Sequence, residues 1–159
     1  MTPARRGAGR GRTKPVVAET PRSPPRLLFD ANVVLDVLAR REPWDRDAAL
    51  LLSAIEEGQA TGAVAAHTIT TIHYLLAKSL GRTATLTTLA RLTKLLDIVP
   101  VDRDVILEAL ALGLRDFEDA VQAVCALRIE ADYLVTRDAA DFRGGGVPLA
   151  TPAEVLGRL

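Results

Sequence analysis

Short apolar runs that end on an acid and are followed by apolar residues at helical spacing recur along this chain, and they leave few folds open to it. Leu27, Leu28 and Phe29 run into Asp30, after which Val33, Val34, Val37 and Leu38 recur with the period of a helix. Tyr133, Leu134 and Val135 run in the same way towards Asp138, with Asp141 three residues later. Between them, Asp116, Glu118 and Asp119 open the almost wholly apolar stretch AVQAVCAL. Alternating strand and helix signals are the mark of βα units, hence of an α/β domain with a central, mostly parallel sheet and helices on both faces. Parallel strands carry their carboxyl ends to one edge, where such folds place ligands. Acids far apart in sequence are therefore expected to converge there. Two carboxylates roughly 4 Å apart repel by about 4 kcal/mol at an effective dielectric of about 20, so a cluster must share a proton, bind a basic group or hold a cation.

The remaining elements follow from the same patterns. Helices are predicted from about Asp45 to Glu57, closed by Gly58; over 68–80 and 83–96, parted by Gly81; from an Asp102 cap to Gly113; and over 117–130. The second of the pair parted by Gly81 puts Leu86, Leu89, Leu92 and Leu96 on one face. Strands are predicted over 61–65, 98–101 and 133–135, with a short edge strand at 148–150 and a terminal helix opened by Thr151 and Pro152. No internal repeat is present, and 159 residues suit one domain.

Charge divides the chain in two. Residues 1–26 carry seven Lys/Arg against Glu19 alone, a net +6, so the remainder is −6 in a chain whose net charge is zero. The first segment is rich in Arg, Gly and Pro, has no apolar run of signal-peptide or membrane-span length, and reads as a disordered basic extension ahead of a folded domain at 27–159. Such an arm either adds sequence-independent attraction to phosphates or is a solvated extension. The single cysteine, Cys125, lies in an apolar helical pattern, reads as core, and fits a reducing, cytoplasmic setting.

FDANVVLD, DFEDAVQAVCAL and LVTRDAADF, in this order and at these separations, resemble the PIN domain, the nuclease fold of VapC-type toxins. The resemblance spans about 27–159 and implies a three-layer α/β/α sandwich, a divalent-metal site (Mg²⁺ or Mn²⁺) at one sheet edge, and endoribonuclease activity. Position by position, Asp30 matches the family's first-strand aspartate, Asp119 the acid opening the long buried helix, and Asp138 the acid after the last major strand. Asp116, Glu118 and Asp141 match positions that are often acidic in relatives with a DFED segment. Many relatives have a glutamate where TITTIHYLL places Thr71, and the resemblance then leaves Glu118 or water to supply that ligand. It further implies a homodimer bound by a cognate antitoxin.

The chemistry stands without the family. Phosphodiester cleavage requires activated water, neutralised phosphate charge and a stabilised leaving oxygen. Carboxylate-bound Mg²⁺ or Mn²⁺ can meet each need, and one or two direct carboxylates suffice for Mg²⁺, which retains several waters. On this reading Asp30, Asp119 and Asp138 are ligands, with Glu118 and Asp141 on a second ion or orienting water. Asn32, Thr136 and Asp116 are supporting or substrate-contacting groups, and Arg137, Arg115 and Arg143 are cations that offset repulsion of RNA. Plainer roles stand beside these: Asp116 as a helix cap, Asp138 as a turn cap, Trp44 as a packing or interface residue, Arg40 and Arg41 as a solvated helix end, and His67 and His73 as structural. Two other functions remain open. One is a PIN-like RNA- or protein-binding module of weak activity, for which Thr71 is the telling residue. The other is an aspartate-dependent phosphatase, disfavoured because Asn32 stands where a D-x-D motif would need its second acid.

Overall fold

The computed structural model describes residues 23–159, and the strands within it align as one parallel sheet. In chain order the elements are β1 (Arg26–Phe29), α1 (Ala31–Leu38), α2 (Asp45–Glu56), β2 (Thr61–Ala65), α3 (Ala66–Leu80), α4 (Arg82–Leu95), β3 (Asp97–Val99), α5 (Arg103–Leu112), α6 (Phe117–Arg128), β4 (Tyr133–Val135), β5 (Leu149–Ala150) and α7 (Pro152–Leu156). Strand order is β3-β2-β1-β4-β5, every neighbouring pair parallel, so the fold is the α/β sandwich that the alternating pattern predicts. The basic extension falls largely outside the described residues; Ser23–Pro25 lead into β1.

Side-chain alternation divides the core between the two faces of the sheet. Leu27, Phe29, Val64 and Val135 face one side, where they meet Val34 of α1, Leu51 of α2, Ile72 and Leu76 of α3, and Leu92 of α4. Leu28, Ala63, Ala65 and Leu134 face the other, against α5 and α6. The buried positions of α6 run without a break from Ala120 to Ala126, and Cys125 is among them, as expected of core. Gly62 lets α2 and Leu96 close on the sheet: a Cβ there would stand 2.5 Å from Leu96 Cδ2 and 2.6 Å from Ile55 Cδ1, so both side chains would have to shift.

Local chemistry sets the ends of the helices. Asp102 caps α5, its carboxylate accepting from Val105 N at 2.9 Å, and Gly113 closes it in the left-handed region (φ 67°). Thr151 and Glu154 form a reciprocal capping box on α7.

Three expectations are corrected. The strand predicted at 98–101 is Asp97–Val99, because Pro100 has no N–H to extend the ladder. Helix α3 starts at Ala66 instead of Thr68, which brings His67 into its first turn. Leu86 is 44% exposed: the buried stripe of α4 runs through Thr85, Leu89 and Leu92, and the Thr85 hydroxyl is satisfied by donating to Gly81 O at 2.8 Å. No helix among the described residues is long and apolar enough to cross a membrane.

Candidate active site

The register of the two central strands explains the site. Phe29 pairs with Val135, so the next residue of each strand, Asp30 and Thr136, leave the carboxyl edge side by side. Asp30 N donates to Val135 O at 3.0 Å, and the Thr136 hydroxyl donates to Asp30 Oδ2 at 3.0 Å. The same hydroxyl oxygen accepts from Asp138 N at 3.0 Å, which ties the loop after β4 to the end of β1. Asp30 is only 3% exposed, and its other oxygen accepts from Gln122 Nε2 at 3.4 Å and Asn32 N at 3.5 Å, the latter contact capping α1. Burial pushes the Asp30 carboxyl above its ordinary value; the hydrogen bonds from Thr136, Asn32 and Gln122 act against that rise, and the charge of Asp138 adds to it.

Helix α6 brings the second group of acids. Asp116 caps it, accepting from Glu118 N at 2.7 Å and Asp119 N at 3.3 Å, and so fills its plainer role. Asp119 lies in the first turn, one turn before Gln122, on the face turned to Asp30. Its carboxyl is pushed up to about 7, first by burial and then by the charges of Asp116, Asp30, Asp141 and Glu118. Those four acids are thus within electrostatic reach of Asp119. Asp119, Asp116, Asp141 and Arg115 line a recess of about 270 Å³.

Glu118 faces α3, where the Thr71 hydroxyl donates to its Oε1 at 3.2 Å. His67, one turn earlier on α3, places Nε2 3.7 Å from the same oxygen. Burial lowers the His67 pKa, and the Glu118 charge opposes this. Thr71 therefore holds a carboxylate from another helix at the position where it offers none of its own.

Arg137 is already engaged. Its Nη1 lies 3.2 Å from Asp36 Oδ1, its Nε 3.7 Å from Asp138 Oδ2, and its guanidinium 4.2 Å from the centre of the Trp44 ring. Arg115 borders the recess, while Arg143 is exposed on the loop after β4. Asn32 contributes its backbone N–H to Asp30 and is half-buried.

Sequence reasoning passed over three residues here. Gln122 was read as part of an apolar face, although a lone amide one turn after Asp119 was the available signal. Asp36 was overlooked inside ANVVLDVL; it is 1% exposed, and such a carboxylate must be paired. His67 was assigned to structure, and only the pairing of α3 with α6 reveals it beside Glu118.

The donor set is all oxygen and carries more negative charge than its neighbours neutralise, which suits a hard divalent cation. Among the described residues, however, no three His, Cys, Asp or Glu side chains stand close enough to form a ready-made cage. The arrangement thus fits an ion held by one or two carboxylates with water completing its shell.

The chain is an α/β domain whose parallel sheet gathers acids at its carboxyl edge, where such folds place ligands. The family model for the PIN domain matches residues 26–140, and the chain belongs to that family. PIN domains are typically nucleases and in general metal-dependent. Among solved structures, FitAcB from Neisseria gonorrhoeae is 20% identical, with a TM-score of 0.62, over 80% of this chain and 98% of that one. A toxin-antitoxin complex from Klebsiella pneumoniae is 24% identical (TM-score 0.60; 79% and 97% covered). Mycobacterium tuberculosis VapC20, a sarcin-ricin loop cleaving toxin, is 15% identical (TM-score 0.61; 76% and 95% covered). At these identities the likeness is one of fold. No curated protein matches the chain in sequence.

Proposed function

We propose that this protein is a metal-dependent endoribonuclease and the toxin of a VapBC-type pair, acting in the cytoplasm as a homodimer silenced by a cognate antitoxin. The observation that carries the reading is the placing of Asp30, Asp119 and Asp138 at one edge: Thr136 links Asp30 to Asp138, Gln122 of α6 reaches Asp30, and Asp119, one turn earlier on α6, is pushed up to about 7 by burial and by its acidic neighbours.

Asp30 and Asp119 are the first ligands for Mg²⁺ or Mn²⁺, with Asp138, Glu118 and Asp141 completing the set directly or through water. Bound there, the ion supplies Lewis-acid polarisation of the phosphate and an activated water. The chain does the rest by positioning. Thr136 and Gln122 hold one oxygen each of Asp30, so the carboxylate is already ordered when an ion arrives. Thr71 aims Glu118, taking the part of the glutamate that relatives carry on this helix. Arg115 and Arg143 offset repulsion between the acids and the RNA backbone.

The test uses purified, antitoxin-free protein with structured RNAs and Mg²⁺ or Mn²⁺. Expected is cutting that EDTA abolishes and that Asp30→Asn and Asp119→Asn each reduce by more than about a hundredfold, since each removes a carboxylate charge that holds the ion on which the cleavage depends. No metal-dependent cutting, or cutting by both variants equal to the parent's, sinks the enzymatic reading; RNA bound but left intact favours the weak binding module, which the lack of a ready-made cage among the described residues also fits. Growth arrest on induction, relieved by a neighbouring small gene, tests the toxin role.

A further inference from the structure

Trp44, the one tryptophan of the chain, stands immediately before α2 with 50% of its surface exposed. Its ring is held from one side by the Arg137 guanidinium, 4.2 Å from the ring centre. That guanidinium is itself fixed, by Asp36 at 3.2 Å and by Asp138 at 3.7 Å. Asp36 is buried and also lies 3.9 Å from Arg41, so it cannot leave this pairing without stranding a charge inside the protein. The chain of contacts runs from a buried acid through an arginine to an open aromatic ring. It ends one side chain away from Asp138, and none of the acid cluster needs Trp44 for its own geometry.

We propose that Trp44 is a base-stacking platform, on which a base of single-stranded RNA next to the scissile phosphate lies against the exposed part of the indole. The proposal rests on the ribonuclease reading and names how that site grips its substrate. A rigid ring suits the purpose because its ordering is complete before RNA arrives, so little affinity is lost to freezing it. Stacking on an aromatic ring is the common grip on an unpaired base, and it tolerates sequence because every base has a π face. The surroundings give no apolar patch for a protein partner. Arg40, Arg41, Glu42, Asp45, Arg46 and Asp47 flank Pro43 and Trp44 in sequence, the next exposed large apolar residue is Leu50, and the cation placed against the ring is Arg137, so the sequence neighbours of Trp44 do not build the apolar core of a protein interface.

Because the chain has one tryptophan, its emission reports on this residue alone. The full-length protein is mixed rapidly with end-labelled single-stranded RNA in Mg²⁺, and label anisotropy and tryptophan emission are read before turnover. Expected is saturable quenching with the same midpoint as the anisotropy change. Trp44→Leu weakens RNA binding by about tenfold, and Trp44→Phe keeps affinity within about threefold of the parent. The emission measurement on the parent protein does not depend on any variant folding. A rise in anisotropy with emission unmoved, or full affinity in Trp44→Leu, overturns the platform and leaves the nuclease reading standing. If neither signal moves, both readings fall. Quenching by a copurified antitoxin but not by RNA marks Trp44 as a protein contact and overturns the proposal.

Discussion

At the amino edge of the sheet, Asp132 accepts from Arg26 N at 2.7 Å, its own N–H donates to Arg26 O at 2.8 Å, and the Arg26 guanidinium donates to Ile129 O. At the carboxyl edge, the residues leaving the same two strands are Asp30 and Thr136, and the acids gathered around them outnumber the cations. One edge satisfies its charge locally. The other leaves Asp119 with a carboxyl pushed up to about 7. The larger recess, about 1050 Å³ and lined among others by Pro24, Gly58, Asp132, Tyr133 and Arg158, opens at the amino edge, whereas the acidic one holds about 270 Å³. Size alone would choose the amino edge, and charge the carboxyl edge. Unrelieved like charge is the better mark of function, because only a bound cation or proton gives the folded chain a reason to keep it.

Among changes that leave every acid in place, the largest effect on this contrast is expected at Thr136. Thr136→Val leaves a buried Asp30 oxygen and Asp138 N without their shared partner, and should lower metal affinity or metal-dependent cleavage by about ten- to a hundredfold. Thr136→Ser should restore most of it. Parent-like metal titrations in Thr136→Val would mean that this hydroxyl only holds the fold.

Next comes pH. Asp119 rises from 3.8 to about 7 on folding, so between these values the folded chain holds a proton that the unfolded chain has released. Its contribution to stability is fully present below about 4 and is lost as pH rises to about 7. Asp119→Asn should remove that part of the slope in denaturant melts performed in EDTA. A divalent ion must displace the proton, so Mn²⁺ affinity should climb by about tenfold per pH unit up to about 7 and then level. Calorimetric titrations showing flat affinity across that range would show that Asp119 takes no part in binding.

The smallest effect sharpens the comparison from the other side. Asp132→Ala removes one charge-assisted hydrogen bond at an exposed position and should cost about 1 kcal/mol in a chemical melt while leaving cleavage unchanged. A loss of cleavage there would mean that the two edges communicate.

Much of the fold was legible from periodicity, because burial on a strand or helix imposes its spacing on the sequence. The β1–α1, α5–α6 and β4 signals landed where they were expected, with Asp102 and Asp116 as caps and Gly113 as a stop. Leu86 was misplaced because leucines at helical spacing do not reveal which of two adjacent stripes meets the sheet, and a back-bonded Thr85 took the buried one. Asp30, Asp119 and Asp138 could be singled out because acids beside apolar runs break the pattern that surrounds them.

The sequence by itself determined the alternation of strand and helix, the edge to which the acids go, and the family, since each follows from local spacing and from side chains within a few residues of one another. Tertiary structure alone decided that Thr136 bridges Asp30 and Asp138, that Gln122 reaches Asp30, that Thr71 and His67 meet Glu118, and that Asp36 locks Arg137 against Trp44. Apart from the local bond of Asp138 N to Thr136, the hydrogen bonds among them join residues 47 to 106 positions apart in the chain. Their partners are fixed by strand register and helix packing, which no local pattern encodes.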